Sequence, residues 1–113
     1  MTAQEFRRLA KSLPDVSEGA HMGHPDFRVG GRVFATLNYP ARGWAMVRLT
    51  PDQQDWLVRA RPKTFVAVKG AWGRAGCTNV RLAAAAKGAV RDAVETAWRN
   101  RAPKRLAARL PAE

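Results

Sequence analysis

A chain of 113 residues, 46% of them hydrophobic, fits one domain around a single core and is too apolar to be disordered. Twenty Lys and Arg against nine Asp and Glu give a net charge of +11 and an isoelectric point near 11.4, a balance that attracts polyanions such as DNA, RNA or an acidic membrane. No apolar run reaches the length of a membrane span, the N-terminus lacks the apolar centre and cleavage site of an export signal, and the single cysteine, Cys77, has no internal partner, so the expected location is the cytoplasm.

The first helix is marked by Thr2 and Glu5 at capping-box spacing, with Phe6, Leu9, Ala10 and Leu13 forming one apolar stripe and Pro14 ending it. Arg7, Arg8 and Lys11 lie off that stripe. A polar segment, "PDVSEGAHMGHP", leads to "FRVGGRVFATL", which reads as a hairpin turned by Gly30-Gly31. Phe27 and Val29 alternate with Arg28, and Val33, Ala35 and Leu37 are expected to share one face. After a turn near "NYPARG", "WAMVRL" makes a third strand.

A second helix, "TPDQQDWLVRA", opens on Thr50 with Pro51 at its first position and Gln53 completing another capping box. Trp56, Leu57 and Ala60 form its apolar side, Asp55 and Arg59 pair at i, i+4, and Arg61-Pro62 stops it. "TFVAV" is a short strand, "KGAWGRAG" a glycine-punctuated connection, and "CTNVRL" the last strand. The third helix runs from about Ala84 to Arg101, with Val90, Val94, Ala97 and Trp98 on one stripe. Pro103 ends it, and a basic tail covers 103–113. The order α-β-β-β-α-β-β-α implies an antiparallel sheet with helices on one face, the α+β class, in a single domain over 1–113.

Three blocks, "GHPDFRVGGRVFATL", "GAWGRAGCTNVRL" and "AWRNRAPKRLA", resemble the signature segments of the MmcQ/YjbR family of small bacterial proteins, over about Leu9 to Leu106. The matching positions are His24, Pro25, Phe27, Arg28, Gly30, Gly31, Trp72, Gly73, Arg74, Pro103 and Lys104. The resemblance implies a two-layer fold like that of type III secretion chaperones, with a five-stranded antiparallel sheet, and a DNA-binding role, the label that members commonly carry. It supplies no catalytic residues. Members often have tryptophan where this chain has Cys77; a smaller residue there would open space beside the sheet or expose a thiol.

His21 and His24, with Cys77, are the only soft metal-ligand candidates, without the paired spacing of zinc sites, so no metal or cofactor is expected. A Cys77–histidine nucleophile pair lacks a marked orienting group, Asp26 being merely near in sequence. Neither glycine cluster has P-loop or dinucleotide spacing. The expected class is therefore a non-enzymatic nucleic-acid-binding protein, with DNA the expected partner.

Phosphate binding needs cations without neighbouring acids, and no acid stands between Asp55 and Asp92. Candidate nucleic-acid contacts are Arg28 and Arg32 beside the Gly-Gly turn, Lys69, Arg74 and Arg81, with Trp72 for stacking and Lys104 and Arg105 as an auxiliary patch. His24, Pro25, Phe27, Gly30, Gly31 and Gly73 are read as structural. With no base-reading motif, contacts to the backbone are expected, largely independent of sequence and sensitive to salt. Trp44, Trp56 and Trp98 are assigned to the core. The alternative is a protein- or small-molecule-binding adaptor with a sheet-face pocket lined by Trp72, Cys77, Phe27 and His24. A membrane-surface role is poorer, since the tail has only Leu106 and Leu110 as large apolar anchors.

Overall fold

The structure, a computed structural model, describes residues 1–110. Both capping boxes form. The Thr2 hydroxyl accepts from the Glu5 amide at 3.1 Å and the Glu5 carboxylate accepts from the Thr2 amide at 2.9 Å, opening helix α1 (Ala3–Lys11). Thr50 and Gln53 exchange the same pair of bonds at the start of α2 (Pro51–Ala60). These bonds satisfy amides that the first helical turn would otherwise leave unpaired.

Between the two helices the chain runs through four strands, β1 (Ser17–His21), β2 (His24–Val29), β3 (Arg32–Leu37) and β4 (Trp44–Arg48). After α2 come β5 (Phe65–Ala67), the single-turn helix α3 (Ala71–Arg74) and β6 (Cys77–Arg81). A 3-10 turn at Leu82–Ala84 leads into α4 (Lys87–Arg101), and α5 (Lys104–Ala107) follows. The six strands form one sheet in the order β1-β2-β3-β4-β6-β5, antiparallel at every pairing. The class is α+β, with six strands rather than five among the described residues.

The extra strand is β1, inside the polar segment. Its residues are mostly exposed, as an edge strand allows, so the apolar alternation that identifies strands is missing. "GAHMGH" is thus itself a hairpin: Met22 and Gly23 turn it with φ of 49° and 80°, the positive pair that a two-residue turn of this hand requires. Gly30-Gly31 turns β2 into β3 in the same way, with φ of 58° and 77°.

The core lies between one sheet face and α1 and α4. Phe6 and Trp98 from the helices and Phe27, Phe34, Phe65 and Val80 from the strands are fully buried there. Trp98 Nε1 donates to the Pro14 carbonyl at 3.1 Å, so this buried indole is satisfied. Within β3 the register breaks: Phe27 pairs Ala35 but Arg28 pairs Val33, skipping Phe34. Such a bulge shifts the alternation by one residue. Val33 therefore leaves the face expected for it and joins Thr36 on the side away from the helices.

Other sequence expectations are also corrected. The third helix starts at Lys87 rather than Ala84 because Leu82–Ala84 forms the tighter turn. The "KGAWGRAG" connection contains α3, and the basic tail contains α5, anchored by buried Leu106; residues 111–113 of that tail lie outside the described residues. Trp56 is exposed on α2, and Trp44, half-buried, points to the other sheet face beneath Arg81. Only Trp98 of the three assigned tryptophans is core. No helix among the described residues is long and apolar enough to cross a membrane.

Candidate functional site

Strand alternation places a second set of side chains on the face away from α1 and α4. From β4 these are Trp44, Met46 and Arg48; their partners across the ladder on β6 are Arg81, Asn79 and Cys77. From β3 come Val33 and Thr36, and from the β1–β2 hairpin His21 and His24. Of these, His21, His24, Val33, Thr36, Met46, Arg48 and Cys77, together with Met22, Tyr39, Val68 and Trp72, line an open pocket of about 530 Å³. Met46, Val68 and Cys77 form a small buried cluster at its floor, with Tyr39 packed against it.

Trp72 reaches this site because α3 is pressed onto the preceding strand end. A Cβ on Gly73 would stand 1.5 Å from the Val68 carbonyl oxygen, a separation no other residue could tolerate. Gln54 from α2 ties the same segment down, donating to the carbonyls of Gly73 at 3.0 Å and Cys77 at 2.9 Å. Trp72 remains largely exposed, and the Arg48 guanidinium lies 5.2 Å from its ring centroid, within cation–π range.

One end of the site is polar and paired. Asp26 is completely buried, yet its carboxylate is met on both oxygens. Arg28 Nε donates to Oδ1 at 2.9 Å and an Arg28 terminal nitrogen donates to Oδ2 at 3.0 Å. His21 Nδ1 lies 2.7 Å from Oδ2. Arg28, ahead of the opposing effect of burial, holds the Asp26 carboxyl below its usual value, and His21 adds to this. An ionised carboxylate only accepts, so His21 carries its proton on Nδ1. His24 packs edge-on against Tyr39 with ring centroids 5.6 Å apart. Cys77 is buried, and burial pushes its thiol up despite the opposing charges of Arg48 and Arg101. A protonated thiol is a poor nucleophile.

The opposite end is positive and unpaired. Arg48 closes β4; its backbone carbonyl accepts from Asn100 Nδ2 at 3.1 Å, which brings the last turn of α4 and its Arg101 alongside. Arg32 opens β3, after the Gly30-Gly31 turn that abuts Pro103. Arg101 is half-buried, and burial, then Arg48, then Arg32 push its guanidinium below the usual value. None of Arg32, Arg48 and Arg101 has a carboxylate partner among the described residues.

The expected nucleic-acid contacts are thus distributed unevenly. Arg28 is committed to Asp26. Arg32 lies at the hairpin tip, and Lys104 and Arg105 follow Pro103, which contacts that tip. Lys69 and Arg74 flank Trp72 around α3. Arg81 stacks 4.5 Å over Trp44 at the far end of the β4–β6 ladder from Arg48, roughly 13 Å away at the rise of a strand. Of the four pocket residues expected, Trp72, Cys77 and His24 line it, whereas Phe27 is fully buried on the core face. Thr36, Tyr39, Arg48 and Arg101 are not among the expected site residues, and His21 and Asp26 enter the sequence reading only as rejected metal-ligand and orienting candidates. Residues 26 and 28 share a face by strand alternation alone, a signal that would have paired Asp26 with Arg28.

No curated protein matches this chain at a significant level. A solved structure, the crystal structure of Deinococcus radiodurans protein DR2400, with domain DUF419, is similar in fold, with a TM-score of 0.74. The match has 15% sequence identity and covers 88% of this chain and 77% of that one. The YjbR family model matches residues 11–100, a span that contains the whole sheet and all but the C-terminal residue of α4; the chain belongs to the YjbR family.

Proposed function

We propose that this chain is a non-enzymatic binding protein that takes a small organic molecule into the open-face pocket. The observation that carries this reading is the pocket itself: about 530 Å³, floored by Met46, Val68 and Cys77 and walled by aromatic rings. Small-molecule sites have this size and this mix of apolar surface with few polar groups. Thr36 adds a polar group with nothing to bond: its hydroxyl is buried in the pocket wall and has no hydrogen-bond partner among the described residues. An unmet buried hydroxyl costs on the order of 1–3 kcal/mol. Cys77 contributes by being small, since a bulky side chain at the floor would fill the space.

The test is an amide-resolved NMR screen of a fragment library. Hits are expected to shift the amides of Thr36, Met46 and Cys77 together, and Cys77→Trp is expected to abolish them. Hits scattered over the surface, or hits indifferent to Cys77→Trp, would remove the pocket from the function.

A second reading, largely sequence-independent DNA binding, is favoured by a separate observation. Lys69 and Arg74 stand without carboxylate partners among the described residues on either side of exposed Trp72. That grouping of cations around an open ring suits phosphates and stacked bases. It ranks second because Arg28 is already neutralised and Arg81 lies apart from the rest.

A further inference from the structure

We infer that the pocket's ligand is an amphipathic organic anion, its apolar body over Met46, Val68 and Cys77 and its oxyanion headgroup held by Arg48, Arg101 and Arg32. This rests on the pocket reading above and names the class of ligand.

The argument is one of charge complementarity at a built site. Arg48 lines the pocket and shares a ladder position with Cys77 on its floor. Arg101 is placed beside it by the Asn100 bond to the Arg48 carbonyl, and Arg32 by the β2–β3 turn that contacts Pro103. Arg48 alone of the three lines the cavity; Arg101 lies close enough for the charges of Arg48 and Arg32 to act on it, so guanidinium groups from three separate elements gather beside the Arg48 end of an apolar cavity. Some cations elsewhere find acids: Glu18 serves Arg7 and Lys11, Glu5 serves Lys87, and Asp26 serves Arg28. Here none is supplied among the described residues. The arginines remain charged even where neighbours disfavour it, so their mutual repulsion persists until a counter-charge arrives. A headgroup that bridges them converts that repulsion into charge-assisted hydrogen bonds, in the forked geometry that guanidinium offers to carboxylate and phosphate. Helix polarity draws Arg101 to the end of α4, but it does not account for Arg32 or Arg48, which come from strands.

The body of the ligand follows from the other walls. Tyr39, Trp72 and His24 present ring surface, and Met46 is an adaptable apolar contact. A flat aromatic or short aliphatic body fits these walls. The paired Asp26–Arg28–His21 group at the far end gives no second cationic grip, because its charge is internally balanced.

Two fluorescent probes test the idea. Anilinonaphthalene sulfonate carries an oxyanion on an aromatic body; N-phenyl-naphthylamine has a similar body and no charge. The anionic probe is expected to bind at one site per chain and about tenfold more tightly than the neutral one. Arg48→Gln and Arg101→Gln should each weaken the anionic probe by about tenfold and leave the neutral probe within twofold. Arg8→Ala, on α1 and outside the pocket lining, removes the same unit of charge and should change neither. Naphthoate and naphthyl phosphate then compete against the anionic probe, and the tighter competitor distinguishes a carboxylate from a phosphate headgroup. Far-UV circular dichroism and thermal unfolding confirm that each variant is folded. Equal binding of both probes, or an anionic probe indifferent to Arg48→Gln and Arg101→Gln, overturns the anion assignment while leaving the pocket. Failure of both probes to bind, or binding that survives Cys77→Trp, overturns the pocket reading itself.

Discussion

At the scale of single residues, Asp26 connects fold and site. It is the completely buried carboxylate that receives two bonds from Arg28 and one from His21, and it fastens the exposed strand β1 to β2. Replacing it with asparagine keeps the shape, removes the charge and leaves Arg28 without its counter-ion. Asp26→Asn is expected to lower unfolding stability by about 2 kcal/mol, the range for breaking a pair in which one partner is buried and the other partly solvated; urea titration measures it. The pH dependence has a definite sign. Since Asp26 is held below the usual 3.8, its contribution is complete above that pH and is lost as pH falls through its lower folded value. Glu5, pulled from 4.5 to about 2 by Lys87 and the Thr2 amide, behaves likewise between those two values. Wild-type stability should therefore decline as pH drops below about 4, and Asp26→Asn should flatten that decline. An identical acid limb in both proteins would mean that the pair contributes nothing net. The sequence displayed the Asp26–Arg28 spacing plainly but gave no cue to His21, since that contact needs β1 to be recognised as a strand.

At the scale of elements, legibility followed the strength of local chemistry. The two capping boxes, the Gly30-Gly31 turn and the Trp98 stripe are local patterns, and each forms as read. What sequence missed depends on neighbours. β1 has no apolar alternation because most of its residues meet solvent, and Glu18, opposite core-facing Phe27, is taken up by Arg7 and Lys11 of α1. The bulge at Phe34 is set by pairing with β2, so nothing in β3 alone announces that Val33 changes face. Trp56 obeys helical spacing yet finds no layer above it. Two substitutions test the reading of these elements. Met22, strained at φ 49° in its turn, should give way favourably to asparagine, which tolerates that region; Met22→Asn should gain about 0.5–1 kcal/mol, visible as a higher thermal midpoint. A loss of stability would show that the Met22 side chain contributes more than its turn costs. Gly73→Ala should do the reverse. Its Cβ would collide with the Val68 carbonyl, so α3 must lift, costing about 3 kcal/mol. Trp72 emission should change at the same time, because the ring rides on that helix.

At the scale of the whole molecule, the net charge of +11 does not act as one surface. Part of it is spent locally on Glu5, Glu18, Asp26 and Asp55. Part of what remains gathers where the hairpin tip, the end of α4 and α5 meet: Arg32, Arg48 and Arg101, with Lys104 and Arg105 beyond Pro103. This convergence was invisible in the sequence, because its members are scattered from residue 32 to residue 105 and are joined only by folding. A duplex that binds through this end, rather than at Lys69 and Arg74 around Trp72, should make no use of Arg28 or Arg81. Engaging about four or five phosphates there predicts a salt slope near −4, a fall of two to three orders of magnitude in affinity between 50 and 200 mM salt. Fluorescence anisotropy of a labelled duplex reads this directly. Arg32→Ala and Arg105→Ala should each reduce the slope by about one, while Arg81→Ala should leave it unchanged. The two readings of the molecule then meet in one competition. A naphthyl anion seated on Arg48 and Arg101 should weaken duplex binding if the phosphates use the same guanidinium groups, and leave it unaltered if they are held by Lys69 and Arg74 around Trp72. The first result makes the arginine end a switch between small anion and nucleic acid; the second separates the pocket and the polyanion surface into independent sites on one sheet.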